Sequence, residues 1–192
     1  MFCSHAVRTP VRPKRSKHAQ INHSQLQNNK FQKGFNSFGQ ASSEIVEFFM
    51  HYKKEYQSVL DLGFGQGREA LFITRKGHTV LDVDAAQTAI KQMLKLAVLE
   101  NLNVNGVFAR IIDFNVDDVY DVVLIDRLFH ILQRDKIRKA VLETYSSTVC
   151  CDGYYWIVDT LKYHTLICNY FKSLKQDWEI IKIKIDSYLP TK

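Results

Sequence analysis

The stretch Asp61-Leu62-Gly63-Phe64-Gly65-Gln66-Gly67 constrains this chain more than any other. A short β-prone run, Ser58-Val59-Leu60-Asp61-Leu62, ends in glycines, and a helical pattern follows through Ala70-Leu71-Phe72-Ile73-Thr74. A strand that turns through glycine into a helix predicts an α/β fold in which a ligand lies directly on the backbone. The spacing excludes the dinucleotide version of this turn. G-x-G-x-x-G counted from Gly63 needs glycine where Arg68 stands, and counted from Gly65 it needs glycine where Ala70 stands. Instead, an acidic residue precedes three glycines at alternate positions, Gly63, Gly65 and Gly67. Asp61, at the carboxyl end of the strand, suits a ligand with an ammonium group better than a pyrophosphate.

The rest of the chain alternates in the same way. Ser42-Ser43 predicts a capped helix start, with the helix running to about Tyr56. Strands are predicted over 79–84, 105–112, 121–125, 154–158 and 178–185. Helices are predicted over 86–100, 134–148 and 163–174, the first of them with Ile90, Met93, Leu94 and Ala97 on one face. Asp121-Val122-Val123-Leu124-Ile125 is almost wholly apolar, as a parallel strand buried on both faces must be. The pattern predicts a doubly wound, mainly parallel Rossmann-like sheet. Two further acids close successive strands. Asp84 lies 21 residues after Gly63, where doubly wound folds place the acid that binds ribose hydroxyls. Asp113 follows the next strand, positioned to accept from an adenine amine, with Phe114 beside it to cover the ring.

The net charge of +6 is unevenly distributed. Seven basic residues (Arg8, Arg12, Lys14, Arg15, Lys17, Lys30 and Lys33) precede Glu44, the first acidic residue, and leave 19 basic against 20 acidic groups in the remainder. The body therefore lacks the basic excess of a nucleic-acid reader. Residues 1–30 carry Pro10, Pro13 and few large apolar side chains, which predicts a disordered basic tail ahead of a single domain over 31–192. Phe31, Phe35 and Phe38 mark a segment expected to dock, as a lid over the ligand. No apolar run approaches the roughly 18 residues of a spanning helix, and the amino-terminal residues lack a secretion-signal pattern, so a cytoplasmic protein is expected. Cys3, Cys150, Cys151 and Cys168 show neither a disulfide framework nor metal-ligand spacing, so reduced thiols and no metal are expected.

The stretch DLGFGQGREALFITRKGHTVLDVD resembles motif I and the acidic loop of class I S-adenosylmethionine-dependent methyltransferases. Its Gly-Gln-Gly-Arg-Glu-Ala-Leu-Phe wording is most similar to the small-molecule branch that includes the tellurite-resistance methyltransferases. The resemblance runs from about Phe35 to Val158 and implies S-adenosyl-L-methionine as cofactor. It implies that Asp61, Gly63 and Gly65 meet the methionine end, that Asp84 binds the ribose hydroxyls and that Asp113 and Phe114 meet the adenine, with Gly67 and Ala85 also in the cofactor-binding set. Phe64 departs from the small residue or cysteine common at its place, and either narrows the pocket or packs on the neighbouring strand. Arg68, in the first turn of the following helix, is a solvated helix residue or pairs with a carboxylate.

Asp126, Arg127 and His130 follow the fourth strand, where the resemblance places acceptor-side residues, and they are the catalytic candidates. The carboxyl end departs from the family, whose sheet has seven strands with the last antiparallel. Here Trp178 to Ile185 supplies one strand, so a six-stranded version lacking the last, or a truncation, is expected. Its alternating Ile and Lys suit a sheet edge, leaving a monomer or an edge-paired homodimer. The expected function is methyl transfer to a small-molecule acceptor (a thiol, chalcogen oxyanion or metabolite). A non-catalytic S-adenosylmethionine-binding module is the alternative. A nucleic-acid methyltransferase fits less well, because the body is neutral and no acidic/proline tetrad is present. No membrane partner is expected.

Overall fold

The computed structural model describes residues 2–8, 39–63, 67–174 and 178–186. Among them are seven strands: β1 (Phe2–Arg8), β2 (Ser58–Gly63), β3 (Thr79–Asp84), β4 (Val104–Phe108), β5 (Tyr120–Asp126), β6 (Val149–Thr160) and β7 (Glu179–Asp186). They form one sheet in the order β4-β3-β2-β5-β6-β1-β7. The five strands from β4 to β6 are mutually parallel, as the alternating pattern requires.

Helices α1 (Ser43–His51), α2 (Arg68–Arg75) and α3 (Gln87–Glu100) cover one face; α4 (Asp135–Ser146) and α5 (His164–Ser173) cover the other. Strand side chains alternate between the two layers. Val122, Leu124, Trp156 and Val158 pack with Ile45, Phe49, Ala70, Leu71, Ile73 and Met93. Leu60, Leu62, Val123, Ile125, Tyr155 and Ile157 pack with Leu142, Tyr145, Ile167 and Phe171. Every residue of β5 is buried, and each fully buried aliphatic side chain there contributes about 1.5–3 kcal/mol. Asp121 ties the amino ends of the strands together. Its Oδ2 accepts from the Ser58 amide at 2.9 Å and hydroxyl at 2.8 Å, and its Oδ1 accepts from Cys150 Sγ at 3.4 Å.

The structure corrects four local expectations. Helix α1 stops at His51 rather than near Tyr56, because Tyr52 is extended and Tyr56 has φ 54°, turning the chain into β2. Strand β4 stops at Phe108 rather than Ile112. There the Ala109 amide donates to the Asp84 carbonyl at 3.0 Å, and the amides of Asp113 and Phe114 fold back onto the Arg110 carbonyl. Strand β6 is longer than expected, reaching back to Val149.

The fourth correction concerns the sheet's far side. The expected gap of a six-stranded sheet is filled by β1, antiparallel to β6 on one side and to β7 on the other. Phe2–Arg8 is thus a strand and not part of a disordered tail; residues 9–38, with Phe31, Phe35 and Phe38, lie outside the described residues. A slot between two strands offers backbone partners on both edges, and that context outweighs a composition poor in large apolar groups. The Ile/Lys-patterned β7 is an edge strand, as its alternation predicts, and it reaches the sheet only through β1.

Candidate functional site

The carboxyl ends of β2, β3 and β5 converge on a cleft of about 40 Å³ lined by Asp61, Gly63, Gly67, Arg68, Glu69, Asp82, Asp126 and Arg127. The register explains the convergence. Asp61 of β2 stands beside Asp82 of β3, and Gly63 stands beside Asp126 of β5. The chain then turns into α2 through Gly67, whose φ of 72° favours glycine. A Cβ at Gly67 would come within 2.5 Å of Met93 Sδ, so the missing side chain is what lets α2 and α3 pack together here.

The cleft is crowded with carboxylates. Asp61, Glu69, Asp82, Asp84 and Asp126 are all buried. Burial pushes the Asp61 carboxyl well above its ordinary range, and Asp82, Glu69, Asp126 and Asp84 add to the rise. Asp82 is pushed up to about 7 by burial, then by Asp84 and Glu69. Glu69 is raised by burial and by Asp126, against the opposing pull of Arg68. Two cations face them. Arg68 Nε donates to Glu69 Oε1 at 2.8 Å, and its Nη2 lies 3.6 Å from Asp126 Oδ2. Arg127, at φ 51°, donates through Nη2 to Asp126 Oδ2 at 2.7 Å. The other oxygen, Asp126 Oδ1, is buried with no hydrogen-bond partner among the described residues.

The remaining candidates divide. Asp84 ends β3 almost fully buried, and its Oδ1 accepts from the Ala86 amide at 2.6 Å, while Ala85 is exposed beside it. Asp113 is exposed in the turn beyond β4, not at a strand end. Its Oδ2 accepts from Arg110 Nε at 2.5 Å, and that pairing holds the carboxyl below its ordinary range. Phe114 is half-buried against the core face that carries α4 and α5. Phe64 and Gly65 lie outside the described residues. Of the catalytic candidates, Asp126 and Arg127 line the cleft, whereas His130 does not. His130 is exposed, with Nδ1 3.9 Å from Asp159 Oδ1.

Sequence reasoning missed Glu69, Asp82, Arg138 and Asp159. Asp159, fully buried in β6, accepts from the Phe129 amide at 2.6 Å and the Thr160 amide at 2.7 Å. Burial raises its carboxyl, against those two bonds. The buried Arg138 guanidinium donates to the carbonyls of Phe129 and Leu132, to Asp135 and to the Tyr163 hydroxyl, and it lies 4.4 Å from the Tyr163 ring centre. Together they brace the turn after β5 that carries Arg127 and His130. For Arg138 the signal in the sequence was a charge on the apolar face of α4, and for Asp82 and Asp159 it was an acid within a β-prone run. Among the described residues, no group of three or more His, Cys, Asp or Glu side chains is arranged to hold a metal ion. Nor is any helix among them long and apolar enough to cross a membrane.

Three comparisons with known proteins bear on this geometry. The "Probable S-adenosyl-L-methionine-dependent methyltransferase TehB" of Haemophilus influenzae is 26% identical over 134 residues, 65% of this chain and 46% of the relative. The "2-heptyl-1-hydroxyquinolin-4(1H)-one methyltransferase" of Mycobacteroides abscessus is 34% identical over 96 residues, 49% of this chain and 42% of the relative. The chain thus spans less than half the length of these relatives. The crystal structure of TehB from Haemophilus influenzae superposes with a TM-score of 0.59 at 19% identity, covering 80% of this chain and 63% of that one, and shows the shared fold. A sequence model of the family described as "Tellurite resistance protein TehB" matches residues 24–187, most of the chain. The chain belongs to the TehB family, among the class I S-adenosylmethionine-dependent methyltransferases.

Proposed function

We propose that this chain binds S-adenosylmethionine in the cleft and catalyses transfer of its methyl group to a small-molecule acceptor (a thiol, chalcogen oxyanion or metabolite). The observation that carries this reading is the cluster of carboxylates at the ends of β2, β3 and β5 beside Gly63 and Gly67. The donor set fits that cofactor. An ammonium group finds Asp61 and the unpartnered Asp126 Oδ1, whereas the two cations of the cleft, Arg68 and Arg127, are already paired with Glu69 and Asp126 and leave little for a phosphate. Gly63 and Gly67 leave backbone exposed to the ligand.

Each residue then has a role. Asp61 and Asp126 hold the amino group, Arg68 meets the carboxylate, Asp84 with Ala85 orients the ribose, and Asp113 with Phe114 covers the adenine. When bound, the cofactor supplies a carbon already activated for in-line displacement. The protein's task is alignment and exclusion of water, and such positioning can lower a barrier by about 7–11 kcal/mol. Arg127 orients an anionic acceptor, and His130, steadied by Asp159, takes a proton from an acceptor that carries one.

Calorimetry with S-adenosylmethionine and S-adenosylhomocysteine tests the binding half of the proposal. Turnover is then assayed on thiols, selenite and tellurite. Saturable binding with methylated product on at least one acceptor is the expected outcome. Absence of binding at millimolar ligand refutes the proposal, and binding without any turnover reduces the chain to a cofactor-binding module.

A further inference from the structure

The cleft holds more acid than an amino group needs. Asp61 alone can balance one ammonium, yet Asp82 stands beside it in the neighbouring strand, in register, with both side chains buried and facing the same small space. Among the described residues, the charged groups around Asp82 can be named. Asp61 faces it from β2, Asp84 from its own strand, Arg68 and Glu69 from α2, and Asp126 and Arg127 from the end of β5. On the β4 side it pairs with Gly106, which brings no charge. Both cations are already occupied, Arg68 by Glu69 and Arg127 by Asp126. Two buried carboxylates side by side with no cation of their own do not both ionise. One lining oxygen, Asp126 Oδ1, still lacks a partner, so the cleft is built for a donor that it does not itself supply.

We infer that Asp61 and Asp82 share a proton in the ligand-free protein, and that a cationic amino group entering the cleft expels it. The exchange balances. A neutral carboxyl loses its proton to solvent, the resulting carboxylate pairs with the ligand's ammonium, and no other bond changes. Asp82 is then a positioning residue that makes ligand capture depend on pH. Its neighbouring carboxyl sets how readily Asp61 ionises, while Asp61 makes the contact. The high carboxyl ranges of both residues agree with this arrangement. The inference rests on the ligand proposed above, and the experiment separates the two.

S-adenosylhomocysteine, which carries the amino group but cannot react, is titrated into the intact protein in phosphate and in Tris buffer. Measurements run from about pH 5.5 to about pH 8.5, the range in which the pair would titrate. Wild type should release a proton on binding near neutral pH, and its affinity should rise by up to about tenfold per pH unit before levelling off. Asp82→Asn, which keeps the shape and removes one carboxyl, should move that levelling-off at least about one unit lower. A wild-type affinity independent of pH, equal heats in both buffers, or an unshifted Asp82→Asn profile overturns the inference. If no ligand binds at all, the proposed function fails, and the pair is still read from the ligand-free protein. There the wild-type melting temperature should fall as pH rises through this range, and Asp82→Asn should lose most of that fall. Parallel profiles for the two proteins overturn the pair as well.

Discussion

At Gly67 two independent constraints meet on one residue. Its backbone lies in the left-handed region, and the space a side chain would need is filled by Met93, which is itself fully buried. Gly67→Ala should therefore cost about 2–4 kcal/mol from strain and overpacking together, read as a lowered urea midpoint with an unchanged slope. Restoring room with Met93→Ala in the same chain should recover part of the packing cost but none of the strain. At this scale the sequence was readable where chemistry and spacing coincide. Asp61, Gly63, Gly67, Asp84 and Asp126 are strand-end or turn residues, and counting along the chain places them. Asp82 was hidden because it sits within a strand whose end, Asp84, already supplied the expected acid. Glu69 reads as an ordinary first-turn residue of α2, and only burial shows that it faces the cleft. Asp113 lies beyond the strand end it was expected to mark, because the backbone leaves β4 early to bond with the Asp84 carbonyl.

Among the elements, β1 is the least legible, although it pairs with a strand on each side. Its residues lack the alternation, flanking turns or apolar run that mark a strand, because what makes it one is a slot formed by segments far away in the chain. Strands β2 and β5 announce themselves most clearly, through buried and mostly apolar runs in the middle of a sheet covered by helices on both faces, whereas β4 at the parallel edge is only partly buried. A proline within β1 tests its place. Ala6 pairs with Trp156 of β6 and with Lys182 of β7, so Ala6→Pro removes a backbone donor from a strand flanked on both sides. A loss of about 3 kcal/mol or more is expected at that half of the sheet. Hydrogen exchange should show β7 and the carboxyl half of β6 losing protection while β2, β3 and β4 keep theirs. Uniform loss across the sheet, or none, would show that β1 does not anchor β7.

Over the whole molecule, the buried acids govern how stability responds to pH. Asp61, Glu69, Asp82 and Asp159 all hold their protons more tightly in the folded chain than in the unfolded one. The stability each confers is complete below the unfolded carboxylate value and is lost as pH rises through the folded value, about 7 for Asp82. The ligand-free protein should therefore melt several degrees lower near pH 8 than near pH 5.5, opposite to the behaviour of a chain whose acids are salt-bridged. Differential scanning calorimetry decides the sign.

The position of β1 also has a consequence for synthesis. It is synthesised before its partners β6 and β7, with the glycine turn and four of the five parallel strands in between. At bacterial-to-eukaryotic elongation rates that separation is roughly ten to thirty seconds, long compared with local folding. During that interval the first strand has no native edge to join, while the parallel half can already collapse around β2 and β5. Closure of the sheet on this side waits for β6 and β7, and an interruption of translation before β6 leaves β1 without its place.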